Sequence, residues 1–334
     1  MKLIVQIPCL NEEATLPQTL AAIPRVIPGV DVVEVLVIDD GSTDRTGEVA
    51  RAHGADHIIR FTRRKGLAAG FMAGLDASLR LGADIIVNTD ADNQYPGHEI
   101  PRLVAPILKG EADMVVGDRV VGDVEHFSWT KRRLQELGSW VVRKVSGTDL
   151  PDTTSGFRAL TREAALRINI VSEFTYTLES IIQAGKKRLA LAHLPIESRH
   201  TRPSRLFTST WDYVKRSGAT ILRIYAMYEP FKVFVMIGSV LLFGGVALGV
   251  RYAYYHWWLS HDPMRHLPST ILGVVLLILG FVTLQWGIMA DLIASNRKLI
   301  EDVLYRVRRI ELGERGADPA KDETHDETHR GAAV

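Results

Sequence analysis

The chain has 334 residues, 46% of them hydrophobic and 24% charged, and 40 Lys and Arg stand against 39 Asp and Glu for a formal net charge of +1. That length allows one domain of roughly 200 residues plus something smaller, and the composition excludes a disordered chain. The balance of charge gives no reason to expect nucleic acid as a partner, yet basic residues gather at Lys131–Arg133, Arg199–Arg205, Lys215–Arg223 and Arg297–Arg309, which suits anionic partners held locally.

From Lys2 to about Asp118, short apolar runs alternate with helical patterns. Leu3–Ile7, Val32–Ile38, His57–Phe61, Ile85–Thr89 and Met114–Val116 are predicted strands, and 11–23, 44–53, 66–81 and 99–109 are predicted helices with Asn11 and Asp44 placed as caps. No basic and apolar leader precedes the first strand, so no signal peptide is expected. Cys9 is the single cysteine, so no intrachain disulfide can form and a cytosolic catalytic domain fits. The alternation predicts an α/β fold, a mostly parallel sheet with flanking helices, whose ligands sit at the carboxyl ends of the strands. From Val120 to Arg205 the pattern is less regular: a helix at 131–145, a turn through 147–156, a helix at 175–184 and a strand at Leu189–Ile196 read as the acceptor half of the same domain.

Leu206–Tyr228 mixes aromatic and basic residues and suits a helix lying along lipid headgroups. Val233–Val250 is eighteen residues without a charge, about 27 Å as a helix, and a second uncharged stretch runs over Leu267–Ala290. Together they predict a two-helix transmembrane hairpin. Lys215, Arg216, Arg223 and Lys232 precede it and Arg297, Lys298, Arg306, Arg308 and Arg309 follow it, which places the catalytic domain and both termini on the cytoplasmic face of the cell membrane. Tyr252, Tyr254, Tyr255, Trp257 and Trp258 fit an interfacial aromatic belt. The domains expected are therefore 1–205 catalytic, 206–230 juxtamembrane, 231–295 hairpin, 296–312 a basic cytoplasmic helix and 313–334 a disordered tail. A hairpin of this size also suits packing between subunits of a homo-oligomer.

Three strand ends carry chemistry. Asp90-Ala91-Asp92, followed by Asn93 and Gln94, leaves the strand Ile85–Thr89 with two carboxylates at i and i+2, able to face one hard cation such as Mg²⁺ or Mn²⁺ that would neutralise a departing diphosphate. A solvated Asp-rich turn would read the same way in isolation. Val35–Ile38 ends in Asp39-Asp40-Gly41-Ser42-Thr43-Asp44, where Asp39 can accept from ribose or base; helix capping accounts for Asp44 but not for Asp39 or Asp40. Ile7-Pro8-Cys9-Leu10-Asn11-Glu12 runs into a loop that can line a base pocket.

These pieces, in this order, resemble the family-2 glycosyltransferases of the GT-A fold, and among them the dolichyl-phosphate-mannose synthases and bacterial polyprenyl-phosphate glycosyltransferases. The likeness covers about residues 1–210 and includes Lys65-Gly66, Gly117-Asp118-Arg119 and Asp152-Thr153-Thr154-Ser155-Gly156-Phe157. It implies that Asp90, Asp92 and Gln94 are metal ligands, with Ala91 between them in the cofactor-binding tip. It also implies that Pro8, Leu10, Glu12 and Asp39 line the nucleotide pocket, and that Arg119 is a phosphate-side arginine. Arg199 and Arg205 stand where the family places basic diphosphate contacts, although Pro203 departs from its pattern and Arg205 replaces a lysine with a different donor geometry. Arg132 falls where such synthases hold the acceptor phosphate, and Asp152 is a candidate for orienting the acceptor.

The implied activity is inverting transfer of a sugar from a nucleotide-sugar donor, GDP-mannose or a UDP-hexose, to a polyprenyl or dolichyl phosphate at the membrane. A phosphate monoester is already ionised near neutral pH, so the reaction needs positioning and leaving-group stabilisation more than a strong base. Two other readings are a processive polysaccharide or glycolipid synthase, against which the absence of Gln-x-x-Arg-Trp and of further spans argues, and a catalytically inactive membrane scaffold.

Overall fold

The computed structural model describes residues 1–119, 140, 142–144, 146–148, 150–171, 176–197, 199, 223, 227–258 and 267–313. The chain divides into two units. The first comprises Met1–Phe127, Ser146–Ser204 and Glu301–Val334, the second Ser128–Val145 and Arg205–Ile300.

The first unit is built on a seven-stranded sheet with the order β3-β2-β1-β4-β6-β5-β7. Its strands are β1 (Lys2–Cys9), β2 (Val32–Asp39), β3 (His57–Arg60), β4 (Ile85–Asn88), β5 (Met114–Asp118), β6 (Arg158–Thr161) and β7 (Leu191–Pro195). All pairings are parallel except those of β6, which runs antiparallel to β4 and β5. Helices α1 (Leu16–Ala22), α2 (Thr46–Ala52), α3 (Leu67–Arg80), α4 (Ile100–Leu108), α5 (Arg162–Arg167) and α6 (Thr177–Lys186) accompany it. The central strands read as continuous apolar runs because helices cover both faces, so Leu3, Ile4, Val5 and Ile7 of β1 are all buried although they alternate in direction.

This is the α/β class expected, with strand bounds within a residue or two. Strand β6 and helix α5 were not legible in sequence: four residues led by an arginine carry no strand pattern, and only the gap between β4 and β5 makes the segment a strand. The expected caps also differ. Helix α1 begins at Leu16 after Thr15, whereas Asn11 adopts a left-handed φ of 55° and accepts from the Thr43 N–H at 2.8 Å. Asp44 lies one residue before the cap position of α2, where its Oδ1 accepts from the Thr46 N–H at 2.9 Å.

In the second unit, α7 (Pro230–Trp258) and the first part of α8 (Leu267–Glu311) are long and apolar enough to cross a membrane, each holding an 18-residue stretch with a mean hydropathy of 2.4. They pack antiparallel through glycines. A Cβ on Gly245 would stand 2.8 Å from the Gly273 carbonyl oxygen, and one on Gly280 would stand 2.9 Å from the Leu242 backbone nitrogen. Facing Leu242, Leu277 and Leu284 fill the spaces that these glycines leave. The expected basic helix at 296–312 is the continuation of α8, without a break.

From Glu301 onward α8 belongs to the first unit. Tyr305 donates its hydroxyl to Glu163 at 2.9 Å, Arg308 donates to the carbonyls of Leu166 and Ile168 at the end of α5, and Glu301 pairs with Lys187 at 3.0 Å. Most of the juxtamembrane segment, most of the expected 131–145 helix and the tail beyond Gly313 lie outside the described residues.

Candidate active site

The carboxyl ends of β1, β2 and β4 open into three loops held together by side chains. After β1, the Asn11 N–H donates to Ser42 Oγ at 3.0 Å and the Glu12 N–H to Thr46 Oγ1 at 2.8 Å, so the loop after β1 is fastened to the turn after β2. Glu12 is buried and accepts from the Thr15 hydroxyl at 2.7 Å; Pro8 and Leu10 beside it are half-buried. Asp39 is fully buried at the end of β2, where Oδ1 accepts from the Ser42 N–H at 2.8 Å. Its Oδ2 has no hydrogen bond, although Arg60 Nε lies 3.3 Å away. A cavity of about 240 Å³ lined by Gly41, Ser42, Arg60, Phe61 and Thr62 adjoins this strand end. Asp40 does different work: its two oxygens accept from the N–H groups of Lys65 and Gly66, fixing the entry to α3. Its purpose is therefore structural, which its place in the motif did not reveal.

At the end of β4, Ala91 is buried and its carbonyl accepts from the Thr19 hydroxyl at 2.9 Å, which pins the acidic tip to α1. Asn93 takes a left-handed φ of 57°, and the Gln94 N–H donates to Asp92 Oδ1 at 3.1 Å, turning the chain back on itself. Asp90 accepts no hydrogen bond among the described residues. A Cβ on Gly156 would come within 3.0 and 3.1 Å of its two oxygens, so only glycine leaves that carboxylate room. Burial first, then the neighbouring Asp92 and Glu12 charges, push its pKa up to about 7 against the pull of Arg119 and Arg158. The charges of Asp92, Glu12 and Arg119 all act on Asp90. Cys9 lies among the same charges: burial, then Glu12, Asp39, Asp44 and Asp90, raise its pKa well above the ordinary thiol value, so it is an inert core thiol.

Arg119 follows β5 and is clamped by Asp152, with Nε donating to Oδ2 at 2.7 Å and Nη2 to Oδ1 at 3.2 Å; Nη2 also reaches Thr154 Oγ1 at 2.6 Å. Burial alone would raise the Asp152 pKa, but Arg119 and the Thr154 contacts hold it below the usual carboxylate range. Both Asp152 oxygens are thus engaged within the chain, and its geometry is that of an orienting partner for Arg119. Arg199 is exposed and its N–H donates to the Gln94 carbonyl at 2.9 Å, beside the acidic tip. Arg132 and Arg205 lie outside the described residues.

Sequence reading missed four residues around the tip. Asn88 of β4 donates to the Gly156 carbonyl at 2.8 Å and contacts the Tyr176 hydroxyl at 2.9 Å, while its Oδ1 accepts from Gln6 at 2.9 Å. Tyr95 accepts from the Gly156 N–H at 3.2 Å, and burial, then Asp90, push its pKa up to about 12. Tyr176 stacks on Phe71 with centroids 4.0 Å apart, and Arg158 is completely buried behind the Asp152–Phe157 loop. The one available signal was Arg158 itself, a charge inside the apolar run Phe157–Leu160.

Comparison with known proteins gives the family. The profile described as "Glycosyl transferase family 2" matches residues 4–168. The chain is 34% identical over 174 residues to the polyprenol monophosphomannose synthase of Mycolicibacterium smegmatis, covering 50% of this chain and 64% of that one. It is 32% identical over 176 residues to the undecaprenyl-phosphate mannosyltransferase of Micrococcus luteus, covering 51% and 70%. Among solved structures it resembles glucosyl-3-phosphoglycerate synthase of Mycobacterium tuberculosis in complex with Mn²⁺, UDP-glucose and phosphoglyceric acid, with a TM-score of 0.53 and 26% identity over 67% of this chain and 79% of that one.

Proposed function

Because the chain belongs to the family-2 glycosyltransferases, we propose that it transfers a sugar from a nucleotide-sugar donor to a polyprenyl or dolichyl phosphate, with inversion, at the cytoplasmic face of a membrane. The observation that carries this reading is the combination of the acidic tip, Asp90 and Asp92, facing Arg119, with two helices long and apolar enough to hold the chain where a lipid headgroup is. The names of the two bacterial relatives support the acceptor class.

The residues fit a divalent cation. Asp90 has a carboxylate without a hydrogen-bond donor, a glycine wall, and a pKa near 7 that a cation would lower, while the Asp92 charge acts on it and the Gln94 N–H folds the loop back onto Asp92. Mg²⁺ or Mn²⁺ held by Asp90, Asp92 and Gln94 would neutralise charge on the leaving diphosphate.

In this reading Pro8, Leu10, Glu12 and Asp39 line the nucleotide pocket, and the unbonded Asp39 Oδ2 accepts from the nucleoside. Arg119, oriented by Asp152, faces the phosphates, joined by Arg199 and Arg205, and Arg132 receives the acceptor phosphate. One phosphate oxygen of the lipid attacks the anomeric carbon, the bond from that carbon to the diphosphate oxygen breaks, and the nucleoside diphosphate departs. The monoester needs no proton removed, so the chain contributes alignment and charge rather than a general base.

The test is a screen of GDP-mannose and UDP-hexoses against undecaprenyl and dolichyl phosphate in detergent, following radiolabelled sugar into the lipid phase. Transfer for at least one pair, lost on addition of EDTA, supports the reading; no transfer for any pair, or transfer indifferent to EDTA, overturns it.

A further inference from the structure

Arg158 is an oddity by its surroundings. It is completely buried on β6, opposite Asn88 of β4 and Val116 of β5. Its guanidinium donates through Nε to the Ser155 carbonyl at 2.8 Å, through Nη1 to the Thr177 carbonyl at 2.7 Å and to the Ser180 hydroxyl, and through Nη2 to the Thr153 carbonyl at 3.2 Å. All four acceptors are neutral. Burial lowers its pKa to about 10, which still leaves it charged at neutral pH. A guanidinium withdrawn from water without a carboxylate partner is costly, and an apolar residue would fill the strand position more cheaply.

The acceptors explain what the cost achieves. Thr153 and Ser155 belong to the loop whose first residue, Asp152, grips Arg119, and whose Gly156 abuts the Asp90 carboxylate. Thr177 and Ser180 belong to the first turn of α6, directly after Tyr176, whose hydroxyl meets Asn88. One planar fork therefore joins two segments that are also linked by a long hydrogen bond from the Tyr176 hydroxyl to the Gly156 carbonyl at 3.4 Å; the first abuts Asp90 through Gly156, and the second reaches Asn88, two residues before it.

We propose that Arg158 is a positioning residue for the transfer reaction: its fork sets the Asp152–Phe157 loop so that Arg119 and Asp90 meet the donor diphosphate at the correct separation. The inference rests on the reading of the site as a sugar-nucleotide transferase. A lysine keeps the charge but offers a point of three donors rather than a planar fork, so it cannot span Thr153, Ser155 and Thr177 together. The defect should then fall on kcat, because donor binding through the β1 and β2 loops is untouched, and it should be shared with Asp152, through which Arg158 acts.

The experiment is steady-state kinetics of the full chain with the active donor and acceptor, comparing wild type, Arg158→Lys, Ser180→Ala, Asp152→Asn and the Arg158→Lys/Asp152→Asn double variant. Arg158→Lys should lose kcat by about 30-fold with donor KM changed less than about threefold, Ser180→Ala should lose about threefold, and the double variant should be no worse than the poorer single variant within about threefold. Multiplying losses in the double variant, a change confined to KM, or full activity in Arg158→Lys would overturn the proposal. Should Arg158→Lys fail to fold, Ser180→Ala decides: it leaves the arginine in place and removes one acceptor, and unchanged kcat there overturns the proposal. Failure of the wild type to transfer sugar would instead count against the transferase reading itself.

Discussion

In the sheet unit Gln6, Asn88 and Arg158 have 0% exposure alongside the large apolar side chains, whereas in the hairpin Phe243 and Trp257 are 78% and 75% exposed and the buried residues of α7 and α8 are glycines and Pro230. Water sorts the first unit, expelling apolar groups and admitting polar ones mostly where they find partners, with Gln6 Oε1, Asp39 Oδ2 and Ser78 Oγ as exceptions. The second cannot be sorted that way, because its outside is as apolar as its seam. Its cohesion comes from backbones brought close where Gly238, Gly245, Gly273, Gly280 and Gly287 recur every seventh residue. Polar partnership specifies one unit, and the absence of side chains specifies the other.

The strongest way to break this contrast is at the acidic tip. Asp90→Ala should reduce transfer by about 10³-fold or more while leaving the protein folded, because in the proposed mechanism the carboxylate holds the metal and it has no structural hydrogen bond to lose. Circular dichroism and radiolabelled transfer, read together, check it; comparable activity would remove the metal assignment. Arg119→Ala should come next, with a kcat loss of about 10²-fold and an accompanying rise in the Asp152 pKa, since the guanidinium is what holds that carboxylate low.

In the hairpin, Gly280→Val should destabilise helix packing by about 1–3 kcal/mol, because its Cβ would stand 2.7 Å from Leu242 Cγ and 2.9 Å from the Leu242 nitrogen. Proteolysis of the detergent-solubilised protein would report it, and nucleotide binding by the sheet unit should not change. The same substitution at Gly249, where nothing lies within 4 Å, should be silent and serves as the control.

A pH experiment sharpens the comparison from within the sheet unit. The Asp90 carboxyl is raised by burial and by Asp92 to about 7 from an unfolded value near 4, so the folded metal-free protein holds a proton that the unfolded chain has released. Stability therefore falls as pH rises between these values. The difference in melting temperature between Asp90→Asn and wild type should widen from pH 4.5 to pH 7.5 in EDTA, and Mn²⁺ should narrow it. The smallest effect is expected at the end of α8: Tyr305→Phe removes the hydroxyl bond to Glu163 and should lower the stability of the sheet unit by about 1 kcal/mol in a denaturant titration.

Much of the candidate site could be named from the chain because its residues sit at strand ends, and strand ends are marked by the abrupt passage from Ile38 to Asp39 and from Thr89 to Asp90. Roles were harder. Asp39 and Asp40 are adjacent and alike in sequence, yet one keeps an oxygen free of hydrogen bonds and the other spends both on Lys65 and Gly66. Nothing local separates them, because the difference is made by a loop 25 residues away. Asn11 likewise has the composition of a cap, but its side chain found the Thr43 N–H across the β1–β2 gap before it could find its own helix.

The order of apolar runs, the acidic strand ends and the two uncharged stretches are properties of neighbouring residues, and burial periodicity writes them directly into the chain. The antiparallel strand β6, the clamp of Asp152 on Arg119, the four neutral partners of Arg158 and the glycine wall beside Asp90 are not written there. Each joins residues that only the closed sheet brings together, so they come into being when the backbone at 150–180 returns to the gap between β4 and β5.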